Sequence, residues 1–266
     1  MSELSMMTWK EIRRASSDGD AMVVVPVASL EQHGPHLAVQ TDTLITSRVV
    51  AAVDQQLQQR GLKCYLAPTL WLGCSPHHLD LFTISLNPEI YVQVLVNIGD
   101  SLLTAGFQRI FFLNGHGGNS VPTQMAVNIL GLKSKALIGC GTYWELAQTA
   151  IRELRESAPG GTGHACELET SIVQYLLPEA ARQGLAVPCY PKLSPNSVID
   201  MTESGPIKLG VRFSDLNPDG NLGDPSLASP EKGRRFFEAI VASVTDQLVE
   251  FSQLSVGNRA TGKKNN

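Results

Sequence analysis

The sequence is poor in the features that mark secreted, membrane-bound and nucleic-acid-binding proteins. Its five cysteines are an odd number and show no CxxC spacing, which argues against a disulfide framework and a structural zinc knuckle. No apolar run approaches the ~20 residues of a membrane-spanning helix. The formal charge of −4 gives no electrostatic reason to expect a nucleic acid or a membrane as partner. The polar N-terminal segment lacks a signal-peptide core, so we expect a cytoplasmic protein.

Apolar strand-like runs alternate with amphipathic helical stretches, which is typical of an α/β fold with a mainly parallel sheet. We expect strands at 22–28, 63–70, 109–113 and 135–143, and helices at 43–60, 88–105, 121–132, 164–177 and 230–251. Residues 192–228 are rich in Ser, Pro, Gly and Asn and predict a long loop that serves as a lid or an oligomer contact. We expect residues 1–254 to form a single domain and residues 255–266 to be a disordered tail.

The histidines lie in glycine- and proline-rich segments or at one helix start, close to predicted strand ends: His33, His36, His77, His78, His116 and His164. In open parallel sheets, ligands bind in the crevice beyond the carboxyl ends of the strands. This placement therefore predicts a functional site at that edge of the sheet.

The first motif, Ser29-Leu-Glu-Gln-His-Gly-Pro-His36, directly follows the first predicted strand. If the chain stays extended, Glu31 and His33 point to the same side, because side chains alternate along a strand. A carboxylate and an imidazole delivered together suit Zn²⁺, Mn²⁺ or Fe²⁺. The alternative is an exposed loop with incidental polar residues. Nearby, Asp42 precedes a helix as either a cap or a metal-bridging carboxylate, and its spacing alone favours the cap.

The second motif is Asn114-Gly-His-Gly-Gly-Asn119, at a strand-to-helix junction. Three glycines let the backbone turn tightly and leave the imidazole of His116 uncrowded, which a purely structural histidine does not need. The rival interpretation is an anion cradle at a helix N-terminus. The run fits neither the phosphate-loop pattern nor the G-x-G-x-x-G fingerprint.

The third motif, Gly163-His-Ala-Cys-Glu-Leu-Glu-Thr-Ser171, opens a predicted helix. Glu167 and Glu169 fall in its first turn, where the helix dipole favours acidic residues without any further role. The helix dipole does not explain His164, which lies before the two glutamates.

Taken together, these segments resemble the creatininase (creatinine amidohydrolase) family over nearly the whole chain. The matching pieces are the three motifs above, Thr41-Asp-Thr43, Gly73-Cys-Ser75 with His78, and more weakly Gly223-Asp-Pro225 with Glu231-Lys-Gly233. The resemblance implies a three-layer α/β/α sandwich, an amidohydrolase acting on carbon–nitrogen bonds other than peptide bonds, and often a homohexamer. It also implies two divalent metal ions, Zn²⁺ first, with Mn²⁺ or Fe²⁺ as alternatives.

The resemblance further implies roles for individual residues. One cation would be held by Glu31 and His116 and the other by His33 and a further glutamate, with Asp42 bridging, while His164 handles protons beside the substrate. Creatinine hydrolases carry Tyr and Glu at the positions of Gly117 and Gly118, so either Glu167 or Glu169 replaces the missing ligand or the second metal site is weaker. The sites then expected are metal ligands Glu31, His33, Asp42, His116 and Glu169; catalytic His164 and Glu167; and substrate-binding Ser75, His78, Gly117 and Gly118.

The two glycines, together with an altered segment after His78, make creatinine itself a doubtful substrate. We expect a small-molecule amide, cyclic or linear, or a formamide of the formylaminopyrimidine type. A cysteine hydrolase would use Cys74 near His77 and His78, or Cys166 near His164. A non-catalytic module would bind phosphate on the glycine loop. A serine hydrolase is disfavoured because there is no G-x-S-x-G elbow.

Overall fold

The structure is a computed structural model in which residues 3–254 are described. Its strands are β1 Met22–Val27, β2 Cys64–Leu66, β3 Arg109–Asn114, β4 Leu137–Thr142, β5 Thr162–His164 and β6 Leu222–Gly223. Its α-helices are α1 Trp9–Ser16, α2 Thr41–Gln59, α3 Pro88–Ala105, α4 Ser120–Lys133, α5 Tyr143–Leu146, α6 Gln148–Leu154, α7 Glu167–Leu176, α8 Phe213–Leu216 and α9 Pro230–Gln253. The disordered tail expected at 255–266 lies outside the described residues. That residues 1–254 form a single domain stays a prediction.

Strands β1 to β4 form one parallel sheet in the order β2-β1-β3-β4. Strand β1 is buried along its whole length, as its continuous apolar sequence predicts. Its side chains alternate between the two faces: Val24 joins one hydrophobic cluster, while Val23 and Val25 join the other. The chain passes from β1 to β2 on one side and then to β3 on the other, so the strand order reverses between β1 and β3. A crevice opens at such a point.

The two faces of the sheet are covered by different helices. One cluster packs α2, α7 and α9 against the sheet through residues such as Val49, Ile172 and Phe236. The other packs α1, α3 and α4 through residues such as Leu95 and Leu130. The expected three-layer α/β/α sandwich with a parallel central sheet is therefore confirmed.

Several predicted boundaries were wrong. The strand expected at 63–70 covers only Cys64–Leu66, and the helix expected from residue 164 begins at Glu167. The residues before it form β5, which pairs antiparallel with β6. Between β5 and α7, Ala165 has a φ of 48°, a left-handed conformation that cannot continue a helix.

The segment 192–228 is mostly irregular, as predicted, but it contains α8 and β6 as well as short 3₁₀ turns. Among residues 3–254, every helix is too short or too polar to cross a bilayer.

Candidate metal centre

The loop after β1 carries Glu31 and His33 into one buried cluster. Glu31 is 1% exposed and His33 is fully buried, so this segment is not an exposed loop. Glu31 Oε1 lies 3.2 Å from His116 Nδ1, and its Oε2 accepts a hydrogen bond of 3.0 Å from Ser29. His33 Nε2 lies 3.1 Å from Asp42 Oδ1. The side chains of Glu31 and His33 thus reach the same site, as expected if successive side chains alternate between the two sides of an extended chain.

Asp42 lies between the other donors at the start of α2. Gln40 occupies the N-cap position and no side chain caps this helix, so the cap interpretation of Asp42 was wrong. Its Oδ1 faces His33, while its Oδ2 lies 3.0 Å from His116 Nδ1 without the geometry of a hydrogen bond. A buried carboxylate oxygen with no hydrogen-bond donor suits a metal ligand.

His116 is held in place by the chain that follows β3. Asn114 accepts from the His116 backbone N–H at 3.1 Å and donates to its carbonyl oxygen at 2.7 Å, which closes the turn. His116 Nε2 lies 3.2 Å from the carbonyl oxygen of Cys74. Since a carbonyl only accepts, Nε2 carries a proton, and Nδ1 is the nitrogen that faces Glu31 and Asp42 and becomes free to bind a cation when the ring is neutral.

Helix α7 and the strand before it complete the cluster. Glu169 Oε1 lies 3.7 Å from His33 Nε2, and the rings of His33 and His164 are 4.3 Å apart. His164 Nδ1 lies 3.9 Å from Glu31 Oε1. Glu169 is 2% exposed and thus supplies a second buried carboxylate on the His33 side.

The donors form three overlapping groups in which the ligand atoms of each lie within 4.8 Å of one another: Glu31, Asp42 and His116; His33, His164 and Glu169; Glu31, His78 and His164. All of these side chains are buried. Oxygen and nitrogen donors in this mixture suit Zn²⁺, Mn²⁺ or Fe²⁺. The residues therefore fit a site for divalent cations.

The ionisation of Glu31 and His116 also suits a cation site. Burial alone would raise the pKa of Glu31, but the imidazoles of His116 and His78 hold it well below its ordinary value. Burial would lower the pKa of His116, yet Glu31 and Asp42 raise it to about 10. A proton on His116 balances the carboxylates in the absence of a metal ion, and a cation that binds there must displace it.

His33 and His164 differ in their charge. The pKa of His33 is raised well above its ordinary value, because Asp42 and Glu169 outweigh the opposing effect of burial. The pKa of His164 is lowered well below its ordinary value by burial and by the neighbouring His33 and His78. His164 is therefore neutral at neutral pH, with one of its two ring nitrogens unprotonated.

A cleft of about 720 Å³ opens onto the cluster. Its floor includes Glu31, Asp42, His116, His164 and Glu169, and its walls include His78, Gly117 and Gly118, three of the residues predicted to bind substrate. The cluster therefore lies at the base of a cavity large enough for a small organic molecule.

The structure places two predicted site residues elsewhere. Ser75 is fully buried, and its hydroxyl lies 3.0 Å from Ser29 and 2.8 Å from Thr83, so it packs behind Glu31 instead of lining the cleft. Glu167 is also fully buried but turns away from the cluster. Its carboxylate accepts from the Ser157 backbone N–H at 2.9 Å and from Lys232 Nζ at 2.7 Å. These contacts correct the expected substrate contact of Ser75 and the expected catalytic role of Glu167.

Three residues of the site were given no site role from the sequence. His77 lines the cleft with its ring stacked 5.7 Å from that of His116, and burial together with His78 lowers its pKa to about 3. The ring of Phe213 packs 4.6 Å from that of His78. Gln32 contacts both His78 and His164. Gln32 lies inside the first motif and His77 is adjacent to His78, so both had a local signal, whereas Phe213 had none.

The cysteines do not form a nucleophilic site in the described structure. Cys74 and Cys166 are 3% and 0% exposed, and burial raises the pKa of both thiols. Cys166 Sγ donates weakly to Glu169 Oε2 at 3.7 Å, and this carboxylate opposes formation of a thiolate. The geometry thus argues against the cysteine-hydrolase alternative.

Comparison with known proteins assigns the family. A family model described as "Creatininase: Creatinine amidohydrolase" matches residues 5–248. The chain belongs to the creatininase family. The expected family is confirmed, and membership makes this protein a hydrolase of the class that acts on carbon–nitrogen bonds other than peptide bonds.

Relatives of this creatininase-family chain carry different names. It is 32% identical over 230 residues to the mycofactocin precursor peptide peptidase of Mycobacterium tuberculosis (strain ATCC 25618 / H37Rv), covering 82% of this chain and 81% of the relative. It is 30% identical over 255 residues to the 3-dehydro-scyllo-inosose hydrolase of Thermotoga maritima, covering 88% and 78%. It is 25% identical over 258 residues to the creatinine amidohydrolase of Pseudomonas putida, covering 92% and 95%.

Solved structures share the fold. A structure described as "Creatininase Mn" has a TM-score of 0.79 and 23% identity, covering 95% of this chain and 99% of that one. A mutant creatininase described as "Zn-Zn type" has the same TM-score, identity and coverage. At this level of identity the similarity establishes the architecture.

Proposed function

We propose that the protein is a metal-dependent amidohydrolase that cleaves a carbon–nitrogen amide bond in a small substrate at the buried cluster. The observation that carries the proposal is the convergence of Glu31, His33, Asp42, His116 and Glu169 at the base of one cleft. One divalent cation would be held by Glu31, Asp42 and His116, and a second by His33, Asp42 and Glu169. Bound divalent cations supply Lewis acidity, which polarises a carbonyl group and activates water.

His164 is the group that moves protons in this proposal. Its Nε2 lies 2.8 Å from the carbonyl oxygen of Gln32, so Nδ1 faces the cluster with its lone pair. Nδ1 accepts a proton as water attacks the amide carbon, and it returns that proton to the nitrogen as the C–N bond breaks. The products are a carboxylic acid and an amine. General acid–base catalysis of this kind contributes roughly 10²–10⁴-fold to a rate.

The substrate class is open between two candidates. Gly117 and Gly118 leave the wall of the cleft without side chains, which favours a substrate larger than creatinine. A formamide of the formylaminopyrimidine type is one candidate. A short peptide-like amide is the other, and it is supported by relatives named as precursor peptide peptidases.

Zn²⁺ is the cation we expect first, with Mn²⁺ or Fe²⁺ as alternatives, and structures described as Mn and Zn-Zn creatininases support this choice. We also propose a cytoplasmic homo-oligomer, a hexamer by family resemblance, without nucleic-acid or membrane partners. All five cysteines are free in the structure, which suits a reducing compartment. Light scattering after size exclusion measures the oligomeric state.

The test begins with elemental analysis of the purified protein, followed by a hydrolysis screen of cyclic amides, formamides and short peptides. We expect about two divalent cations per chain, since the proposal places one cation with Glu31 and His116 and another with His33 and Glu169. EDTA should abolish activity, and the added metal should restore it. Loss of activity with iodoacetamide but not with EDTA would instead support a cysteine hydrolase. Tight phosphate binding unaffected by His33→Ala would support the phosphate-binding module.

Two buried histidines of the first motif provide a matched pair of variants. His33 belongs to a ligand group, whereas His36 is equally buried but contacts Thr170 Oγ1 at 3.0 Å. His33→Asn should lower the cation content, and His36→Asn should preserve it. Equal cation content in both variants would contradict the proposed second site.

A further inference from the structure

The side-chain amide of Gln32 has an orientation fixed by its surroundings. Gln32 lies between two proposed ligands, Glu31 and His33, and is 7% exposed. Its Oε1 accepts from the Gly34 backbone N–H at 2.8 Å, and its Nε2 lies 3.1 Å from the carbonyl oxygen of Gly220. A backbone N–H only donates and a carbonyl only accepts, so oxygen and nitrogen of the amide cannot be exchanged.

This orientation determines the tautomer of His78. Gln32 Nε2 lies 2.8 Å from His78 Nδ1. The amide nitrogen has two protons and no lone pair for a hydrogen bond, so one proton goes to Gly220 and the other to His78. His78 Nδ1 is therefore the unprotonated nitrogen, and the ring proton is on Nε2. That atom lies 3.2 Å from Glu31 Oε1 without the geometry of a hydrogen bond.

The backbone of Gln32 determines the tautomer of His164. His164 Nε2 lies 2.8 Å from the Gln32 carbonyl oxygen, which only accepts, so Nε2 carries the proton. Gln32 Nε2 also lies 3.1 Å from His164 Nε2, but its two protons are already engaged. The lone pair of His164 is thus on Nδ1, the atom that faces Glu31 and the cleft.

We propose that Gln32 is a positioning residue that sets both tautomers: its side chain sets that of His78, and its carbonyl group sets that of His164. Through His78 it keeps the protonated Nε2 on the side of the ring near the Glu31 carboxylate, and through His164 it presents an unprotonated Nδ1 to the substrate. Partners of this kind orient ligands and raise their basicity in metal sites. The tautomers follow from the hydrogen bonds alone; their catalytic meaning rests on the proposed function.

A purely structural Gln32 would act differently. It would only form hydrogen bonds with the Gly34 N–H and the Gly220 carbonyl. Its replacement would then lower stability without changing which nitrogen of each imidazole is protonated. Gln32→Glu separates the two cases. A carboxylate still accepts from Gly34 but has no proton for His78, so the ring proton of His78 should move to Nδ1 and leave the Nε2 lone pair facing Glu31.

The experiment is ¹⁵N NMR of the histidine rings, which reports the protonated nitrogen of each imidazole, recorded on the metal-free and metal-loaded wild type, Gln32→Glu and Gln32→Met. In the wild type we expect Nε2 protonated on both His78 and His164. In both variants we expect altered His78 signals and a cation affinity or kcat lower by about 10–100-fold, with little change in KM. Gln174→Met is the matched control, because Gln174 is 6% exposed and its amide has no hydrogen-bond partner in the described structure.

A wild-type spectrum with the proton on His78 Nδ1 would overturn the proposal even if every variant failed to fold. Unchanged imidazole signals in a folded Gln32→Glu, with unchanged kcat, would overturn it as well. The spectra need no substrate. A hydrolysis screen without product would therefore count against the proposed function alone, while the expected tautomers would still support the role of Gln32.

Discussion

Lys232 Nζ lies 2.7 Å from Glu167 Oε1, and the pair joins the first turn of α9 to the first turn of α7. The Lys232 side chain is 8% exposed and that of Glu167 is fully buried. Lys232 also donates to the Leu227 carbonyl at 2.6 Å. Two glutamates in one helical turn therefore face different surroundings: Glu167 meets a buried ammonium group, and Glu169 meets the histidine cluster.

This difference predicts opposite effects of two similar substitutions. Glu167→Gln leaves Lys232 without its buried charged partner, so unfolding free energy should fall by about 3 kcal/mol while the cation content is kept. Glu169→Gln should lower the cation content and activity with a smaller effect on metal-free stability. Urea denaturation measures the unfolding free energy of each variant, and elemental analysis measures its cation content. If Glu167→Gln lost cations and Glu169→Gln kept them, the assignment of the two residues would be reversed.

Two neighbouring glycines form a second matched pair. A Cβ atom at Gly118 would overlap the carbonyl oxygen of Cys74 and lie 2.6 Å from His116 Nε2, whereas at Gly117 it would meet no atom within 4 Å. Gly118→Ala should displace His116, lower the cation content and cost about 1–3 kcal/mol of stability. Gly117→Ala should leave the fold and the cation content unchanged.

Larger residues at position 117 extend this prediction. Gly117→Tyr should narrow the cleft and lower kcat/KM more for bulky substrates than for small ones. Calorimetry measures the stability of the glycine variants, and competition between a bulky and a small substrate measures the ratio of their kcat/KM values. A Gly118→Ala variant with normal cation content would contradict the close packing described for this loop.

Asp200 predicts the behaviour of the protein in acid. Burial would raise the pKa of this carboxylate, but backbone N–H groups of Thr202 and Gly160, the Arg155 guanidinium and the Thr162 hydroxyl lower it. A lowered pKa in the folded state stabilises the protein above the ordinary pKa of aspartate, near 4, and this contribution is lost as the pH falls through the lower value.

Asp200→Asn leaves Arg155, whose side chain is 5% exposed, without its charged partner. Unfolding free energy at neutral pH should fall by about 3 kcal/mol, and its decline below about pH 4 should become shallower. Glu238→Gln, in an exposed pair with Arg234, should cost less than about 0.5 kcal/mol. Denaturation measured between pH 3 and pH 7 compares the two; parallel acid profiles for wild type and Asp200→Asn would contradict the prediction.

Phe213 closes one side of the cleft over the histidines. Its ring lies 5.0 Å from that of His77 and 5.2 Å from that of His164. The segment is held by Asp80, which accepts from Arg212 and Ser214 at 3.0 Å each. Phe213→Ala should open the cleft to water and lower kcat/KM by about tenfold, the effect of losing roughly 1.4 kcal/mol of transition-state stabilisation.

Asp80→Asn should have a weaker effect, because the Arg212 and Asp80 side chains are 65% and 37% exposed and such pairs contribute little. Steady-state kinetics with unchanged cation content would establish that the loss at Phe213 does not come from the metal site. An unchanged kcat/KM in Phe213→Ala would exclude a contribution of this ring to the reaction.

Local sequence predicted the parallel sheet and the edge at which the cluster lies. The apolar runs that become β1 and β3 identify buried parallel strands, and the polar residues after them must meet at one edge of the sheet. The positions of Glu31 and His116 directly after these two strands were therefore enough to predict that they lie together.

Other parts depended on contacts between distant segments. Glu167 and Glu169 are difficult to distinguish in sequence, because the surroundings of each carboxylate depend on how α7 packs against α9 and on Lys232. Phe213 comes from a loop without periodicity, and its packing on the histidines has no local signal. Ala165 adopts a left-handed conformation that is rare for alanine, so nothing in the local sequence indicated that the helix could not begin before it. The start of α7 was therefore predicted too early.

The strand order β2-β1-β3-β4 has a consequence for how the protein reaches its native state. The proposed ligands are carried by four separate stretches of chain, and β1 and β3 become neighbours only after the intervening α2, β2 and α3 have been accommodated. Such non-local pairing is slow to form. Ion capture would therefore be a late event in maturation, and scarcity of the ion would leave a population that is assembled but less resistant to unfolding.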